Sequence, residues 1–131
     1  MTLSIFGVGT DIVKNSRIKK LIKNNKFINR IFTSTEIQDS KKIKQKVLFF
    51  SKRFAAKEAF VKSLGTGFAH NINFKDINVS KKKSGKPYLT LSNNLKNILK
   101  RKLSLNKIKI FLSLSDEREY SVAYVITQKI K

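Results

Sequence analysis

Apolar residues cover nearly every side of one stretch of the chain, Gln45–Gly67. At ~100° per residue, Val47, Phe54 and Val61 fall on one side of a helix, and further phenylalanines, alanines and a leucine cover most of the rest. The stretch contains no proline, and Gly65 stands where a glycine commonly ends a helix. This pattern predicts a central, mostly buried helix of about five turns.

Glu58 lies in the middle of this apolar stripe, where an unpaired carboxylate is costly to bury. Lys62 follows one turn later, in the order that favours an i,i+4 ion pair worth ~0.3–0.5 kcal/mol. The apolar setting favours a different interpretation, in which Glu58 holds a metal ion or a proton.

Near the start of the sequence, the apolar stretch Leu3–Gly9 predicts a short strand whose two glycines suit a bend or a close backbone approach. Thr10 and Asp11 then occupy the position of a helix N-cap, ahead of apolar residues spaced for a helix from Ile12. A cap is the simpler role for Asp11. The alternative is a strand-end carboxylate facing the same cavity as Glu58, because Mg²⁺ that bridges substrate phosphates uses only one or two protein carboxylates.

Shorter elements surround the predicted central helix. Thr33 and Glu36 have the spacing of a capping box, which predicts a short helix and a structural role for Glu36. After Gly67 the spacing predicts a strand at 72–80, a hairpin turn at 81–86, an edge strand opened by Pro87 and ending at Leu91, and a helix capped by Ser92.

The last third of the chain carries the strongest strand signal. Apolar and polar residues alternate over 108–115 and again over 120–126, with a turn at 116–117 between them. These segments predict two neighbouring antiparallel strands. The predicted fold class is therefore α+β, with a small antiparallel sheet packed on a long central helix and shorter helices around it.

Length and composition limit the chemistry. The 131 residues, 40% of them hydrophobic, predict a single domain over residues 1–131 with its own core. The sequence has no cysteine and one histidine, His70, which excludes disulfides, Cys nucleophiles and zinc sites built from Cys or His clusters. Any metal must therefore be held by oxygen atoms, as magnesium, calcium and manganese are.

The chain is strongly basic, because 29 Lys and Arg against 8 Asp and Glu give a net charge of +21. Such a field attracts nucleic acid, an acidic protein or a phosphorylated ligand, although many Lys, Asn and Ile also indicate an AT-rich genome. The longest apolar runs are about four residues, far below the ~20 that span a bilayer. No signal peptide is recognisable, and we expect a soluble cytoplasmic protein with no membrane partner.

A known family shares four motifs with this chain, in the same order and at similar spacing. They are GVGTDIV at Gly7–Val13, RFAAKEAFVKSLGTG at Arg53–Gly67, SGKPYL at Ser84–Leu89 and LSLSDEREYSVAYVI at Leu112–Ile126. With them the chain resembles the holo-[acyl-carrier-protein] synthases, the small bacterial 4'-phosphopantetheinyl transferases. The resemblance covers residues 3–127 and implies the 4'-phosphopantetheinyl transferase fold.

The resemblance also implies a reaction. Such enzymes transfer the phosphopantetheine arm of coenzyme A to a serine of acyl carrier protein for fatty acid biosynthesis, and release adenosine 3',5'-bisphosphate. By similarity, Asp11 and Glu58 hold magnesium and Lys62 contacts the phosphate, while Glu58, Lys62 and a metal-bound water all stay open as acceptors of the serine proton. The positions that match coenzyme-binding residues of the family are Arg53, Lys62, Gly65, Thr66, Gly67, Gly85, Lys86 and Pro87.

The partners follow from the same resemblance. Acyl carrier proteins are acidic, and the family docks them on its first helix, so we expect Arg17, Lys20, Lys26 and Arg30 to contact the carrier. The family forms trimers with active sites between subunits. We therefore expect a homotrimer here, with Asp11 and Glu58 on different sides of a shared cleft or close to it.

Phe111 and Asp116 depart from the family pattern, because many relatives carry histidine there; this predicts altered contacts with the coenzyme.

The main alternative function is a small basic nucleic-acid-binding protein, such as a ribosome-associated one. Charge and interleaved aromatics favour it, but the phenylalanines have core spacing and no RNP, helix-turn-helix or zinc-finger pattern is present. For the enzyme we expect only nonspecific nucleic-acid binding. A catalytically inactive relative is a third possibility. The presence of Asp11, Glu58 and Lys62 argues against it.

Overall fold

The computed structural model describes residues 3–130, and within them five strands form two antiparallel sheets. The larger sheet consists of β1 (Leu3–Lys14), β4 (Ile108–Asp116) and β5 (Tyr120–Ile130), in the order β1-β5-β4. The smaller sheet pairs β2 (Ile77–Lys81) with β3 (Pro87–Leu91).

Five α-helices complete the described part of the chain: α1 (Asn15–Leu21), α2 (Asn25–Ile31), α3 (Ser34–Ser40), α4 (Lys46–Leu64) and α5 (Asn93–Leu103). The predicted α+β class, with a small antiparallel sheet packed on a long central helix, is confirmed. Among residues 3–130, no helix has the length and apolar character needed to cross a membrane.

The predicted central helix is α4, and most of its residues are buried. It ends as expected, with Gly65 in the left-handed conformation at φ 76°. One side of α4 packs on the larger sheet, and its phenylalanines pack with Phe27 and Phe32 on the other side. Because most of its residues are covered from these two sides, α4 forms the centre of the core.

Gly7 and Gly9 let β1 approach α4 so closely that no side chain fits between them. A Cβ atom at Gly7 would lie 1.9 Å from the carbonyl oxygen of Ser63, and one at Gly9 would lie 1.8 Å from that of Ala59. Both obstacles are backbone atoms, which cannot rotate away. The two glycines suggested by the sequence for a close approach therefore fix the distance between the sheet and the helix.

The N-terminal strand is longer than predicted. Its pairing with β5 runs from Leu3 opposite Ile130 to Lys14 opposite Tyr120, and α1 begins only at Asn15. The predicted helix start at Ile12 is wrong, and so is the N-cap role of Asp11, which lies within the strand. The apolar spacing of this stretch fits a strand as well as a helix, and the ladder with β5 decides between them.

The other predicted elements are largely present. The strand expected at 72–80 begins later, at Ile77, because residues 74–76 form a 3₁₀ turn. Ser92 caps α5 by accepting a hydrogen bond from the Leu95 amide at 3.1 Å. The last two strands, β4 and β5, pair antiparallel as predicted. The separate helix α2 was not predicted.

The capping box of α3 is present and belongs to a larger buried network. The Thr33 amide donates to Glu36 Oε1 at 2.9 Å, and the Glu36 amide donates to Thr33 Oγ1 at 3.1 Å. Glu36 Oε2 also accepts from the Val79 amide at 2.7 Å, and Glu36 Oε1 lies 2.7 Å from Lys57 Nζ. Lys57 and Glu36 are fully buried, so this ion pair ties α3, β2 and α4 together inside the protein.

We expect Gly9→Ala to destabilise the fold by about 3 kcal/mol or more, at the upper end for overpacked sites, because the added methyl meets the backbone of α4. Urea unfolding followed by circular dichroism measures this loss. Val8→Ala is the matched control, since Val8 is exposed on the opposite face of β1. An equal, small change in both variants would contradict the close-approach argument.

Candidate active site

Asp11 on β1 and Lys62 on α4 form an ion pair, with 3.2 Å between Asp11 Oδ1 and Lys62 Nζ. Lys62 Nζ also donates to the carbonyl oxygen of Thr10 at 3.0 Å. The simple i,i+4 pairing of Lys62 with Glu58 is therefore wrong, because among the described side chains Lys62 takes Asp11 as its salt-bridge partner. The close packing of β1 on α4 brings that long-range partner into reach.

Glu58 lies half-buried one turn before Lys62. Burial raises the pKa of the Glu58 carboxyl, and the negative charge of Asp11 raises it further, while Lys62 and Arg17 act in the opposite direction. Burial likewise raises the pKa of Asp11, against the opposing effects of Lys62 and Arg17. The structure thus brings two carboxylates together that compete for positive charge.

This pair fits a magnesium ion better than a metal that needs a full protein cage. Both groups offer carboxylate oxygens, and the charge of Asp11 disfavours the ionised form of Glu58 in the absence of a cation. Within residues 3–130 no group of three or more His, Cys, Asp or Glu side chains is placed to hold a metal. Asp11 and Glu58 therefore suit a cation that completes its coordination with water and substrate oxygens.

Arg53 lies at a second site, a cavity of about 170 Å³ between α4, the β2–β3 hairpin and the end of β4. Its guanidinium stacks on the Phe49 ring at 3.5 Å, and Nη1 donates to the Phe49 carbonyl at 3.3 Å. The side chain is 95% buried by this packing, yet its Nε has no hydrogen-bond partner among the described residues. Pro87 lines the same cavity.

Arg53 and Lys62 point to opposite sides of α4. Nine positions separate them, which corresponds to about 180° around the helix and roughly 13 Å along its axis. The structure thus separates the predicted residues, with Asp11, Glu58 and Lys62 in one cluster and Arg53 and Pro87 in another. One small ligand cannot readily touch both clusters of the same chain.

The predicted glycine-rich positions are also divided. Gly65, Thr66 and Gly67 follow α4 directly, on a segment that starts three residues after Lys62. Gly85, with φ 92°, and Lys86 are exposed in the β2–β3 hairpin. The first group therefore adjoins the Asp11 cluster, and the second adjoins the Arg53 cavity through Pro87.

The predicted carrier-docking residues lie on two helices instead of one. Arg17 and Lys20 are exposed on α1, whereas Lys26 and Arg30 are exposed on the separate helix α2. The positive charge of Arg17 acts to lower the pKa of both Asp11 and Glu58. The basic surface of α1 therefore begins at the Asp11 cluster.

Sequence reasoning missed the ion pair at the mouth of the Arg53 cavity. Lys52 Nζ lies 2.9 Å from Asp116 Oδ2, and both residues line the cavity. Asp116 was predicted to lie in a turn and to depart from the family pattern, and Lys52 directly precedes Arg53. The pairing itself joins α4 to the end of β4, which no local pattern in the sequence reports.

The outer face of the larger sheet, opposite α4, is apolar and exposed. Ile12 is 63% exposed, and the neighbouring large side chains on that face are Val8, Phe111 and Tyr124. Contiguous exposed apolar surface of this kind is typical of protein interfaces.

Known proteins resemble this chain over nearly its whole length. A sequence model of the 4'-phosphopantetheinyl transferase superfamily matches residues 7–125. A protein from Pelagibacter ubique (strain HTCC1062) named holo-[acyl-carrier-protein] synthase is 54% identical, over 97% of this chain and 99% of its own length.

Solved structures agree with the sequence comparison. The holo-[acyl-carrier-protein] synthase of Neisseria meningitidis superposes with a TM-score of 0.86 at 35% identity, over 95% of this chain and 98% of that one. A holo-(acyl-carrier-protein) synthase from Bacillus anthracis, in complex with CoA (3',5'-ADP), gives a TM-score of 0.80 at 34% identity, over 96% and 98% of the two chains.

We expect Glu58→Gln to raise the melting temperature at neutral pH in the presence of a chelator. The folded-state pKa of Glu58 lies above its ordinary value, so the ionised carboxylate present at neutral pH destabilises the fold, and the neutral amide removes that effect. Differential scanning calorimetry measures the shift. Glu119→Gln, an exposed residue, controls for the change in net charge, and an equal shift in both variants would contradict the argument.

Proposed function

Because the chain belongs to the 4'-phosphopantetheinyl transferase superfamily, and within it to the holo-[acyl-carrier-protein] synthases, we propose that it transfers 4'-phosphopantetheine from coenzyme A to a serine of acyl carrier protein. The serine oxygen forms a bond to the phosphorus that carries the pantetheine arm. The bond between that phosphorus and the bridging oxygen of the pyrophosphate breaks, the serine proton passes to one of the acceptors named above, and adenosine 3',5'-bisphosphate leaves.

One observation carries this proposal: Asp11 on β1 meets Glu58 and Lys62 on α4 in a fold shared with these synthases. When bound by Asp11 and Glu58, magnesium would offset the negative charge of the coenzyme pyrophosphate. The attacking hydroxyl comes from the carrier protein, so the chain itself needs no nucleophile.

Lys62 is placed to stabilise the charge that develops on the leaving phosphate. Its side chain is about half exposed, and its ammonium is held between Asp11 and the Thr10 carbonyl. The ammonium is thus oriented before a ligand arrives, which lowers the reorganisation needed during reaction. In phosphoryl transfer such positioning and charge stabilisation supply most of the catalysis.

The carrier protein docks, in this proposal, on the exposed basic residues of α1 and α2, namely Arg17, Lys20, Lys26 and Arg30. An acidic partner is attracted to them over a distance, which mainly raises the association rate and weakens with salt. Since Arg17 also acts on Asp11 and Glu58, a carrier bound there delivers its serine next to the carboxylates.

We propose further that the complete site forms between two copies of the chain in a homotrimer. Arg53 and Lys62 point to opposite sides of α4, an arrangement that favours a coenzyme molecule bound by the two kinds of residue from different subunits. The exposed apolar face around Ile12 and Tyr124 offers a surface for such an assembly. Arg53 and the hairpin residues Gly85, Lys86 and Pro87 then bind the coenzyme of a neighbouring subunit.

Incubation of the protein with apo acyl carrier protein, coenzyme A and magnesium should add one phosphopantetheine group to the carrier. Intact-mass spectrometry detects this gain, and a chelator should abolish it. We expect Glu58→Ala to lower the rate by about 10²-fold or more, because it removes charge stabilisation at the reacting phosphate.

Glu119→Ala is the control for this assay, since its side chain is exposed and lies outside the cluster. RNA binding measured on the same variants separates the enzyme from a nucleic-acid-binding protein. If the folded wild type transfers nothing to a competent carrier, the proposed function is wrong.

Mixed trimers test the shared site. We expect co-expressed Glu58→Ala and Arg53→Met chains to regain activity that neither has alone, up to about one quarter of wild type, because random mixing leaves about one site in four with both native residues. Circular dichroism and light scattering verify that each variant folds and assembles.

Glu58→Ala mixed with Lys62→Ala is the matched control, because both residues lie in one cluster and every mixed site lacks one of them. Equal recovery in the two mixtures, or none in either, would contradict a site shared between subunits.

A further inference from the structure

We propose that Asp116 is an affinity-determining residue, whose carboxylate competes with a ligand phosphate for the ammonium of Lys52. The proposal rests on the function proposed above, in which the Arg53 cavity binds a phosphate-bearing part of the coenzyme. In this proposal, the carboxylate of Asp116 weakens the binding of the phosphate-bearing ligand.

The cavity is built to attract an anion. Arg53 is buried in its wall, while Lys52 and the exposed Lys81 lie at its rim. Among the described residues that line it, Asp116 carries the only carboxylate. Arg53 is fixed by Phe49 and forms no salt bridge among the described residues, so no carboxylate engages its charge at short range.

Lys52 is different, because its charge is already engaged. Its Nζ lies 2.9 Å from Asp116 Oδ2, and both side chains are about three-quarters buried, which reduces screening by water. A phosphate that binds Lys52 must exchange with this carboxylate or share the ammonium with it. The contribution of Lys52 to the binding free energy is therefore only the difference between its contact with the phosphate and its contact with Asp116, both of which are charge-assisted.

Asp116 also opposes an incoming phosphate directly, because like charges in one cavity repel each other. Replacement of the carboxylate by an amide removes the repulsion and frees Lys52. Both effects have the same sign, so the variant should bind phosphate-bearing ligands more tightly. In the proposed reaction, the native carboxylate would then favour release of adenosine 3',5'-bisphosphate.

The test is the dissociation constant of adenosine 3',5'-bisphosphate, measured by isothermal titration calorimetry at fixed ionic strength. We expect Asp116→Asn to tighten binding about threefold or more, the scale of a partly exposed ion pair. Glu119→Gln on the neighbouring turn removes the same net charge without touching Lys52, and should change the constant by much less.

A double-mutant cycle with Lys52→Gln gives the sharper signature. If Asp116 occupies Lys52, then Lys52→Gln weakens binding more in the Asp116→Asn background than in the wild type. Weaker binding in Asp116→Asn would show that the carboxylate is itself a ligand contact. Equal tightening in Glu119→Gln would show that the tighter binding comes from the change in net charge alone. Either result overturns the proposal.

The same titration separates this inference from the proposed function. A wild type that binds the bisphosphate, with Asp116→Asn unchanged, refutes the role of Asp116 alone. A wild type that neither binds the bisphosphate nor modifies the carrier refutes the proposed function, and this inference with it.

Discussion

The structure depends on the close approach of β1 to α4, which two glycines permit. Gly7, Gly9, Asp11 and Val13 share one face of the strand because side chains alternate along it. The glycines bring this face against the α4 backbone at Ser63 and Ala59. Asp11, two positions further along, consequently reaches Lys62 and acts on Glu58. A packing constraint between backbones thus sets the geometry of the carboxylate pair.

The central helix carries two lysines with opposite fates. Lys57 is fully buried, and its ammonium donates to the carbonyls of Ile31 and Ile77 at 2.9 and 2.8 Å in addition to its contact with Glu36. Lys62, five residues later, is exposed and pairs with an acid whose pKa is raised. Because its ammonium already has a partner for every donor, Lys57 is a structural residue. Loss of one partner from such a buried ion pair strongly destabilises the fold. The partner of Lys62 still gains from additional positive charge, and this difference separates a structural pair from one suited to binding.

Short-range signals predicted much of the fold. The all-round apolar pattern of α4, the capping box at Thr33, the Ser92 cap and the alternation in β4 and β5 act over a few residues, so a sequence displays them directly. Motif resemblance selected Asp11, Glu58 and Lys62 as candidate site residues, and the structure brings them together; their catalytic roles stay predictions.

What the sequence did not reveal depends on long-range contacts. The end of β1 is set by pairing with β5, more than a hundred residues away, and this overrides a spacing that also fits a helix. Lys62 takes Asp11 instead of its neighbour Glu58 for the same reason. The Lys52–Asp116 pair and the burial of Lys57 likewise arise only when α4 meets other elements. In the proposed trimer, the opposite directions of Arg53 and Lys62 have a consequence: each α4 contributes Glu58 and Lys62 to one site and Arg53 to the next. Substitutions at Glu58 and at Arg53 of one chain would then affect two different sites, and the close contact between β1 and α4 would keep all three sites of the assembly in the same geometry.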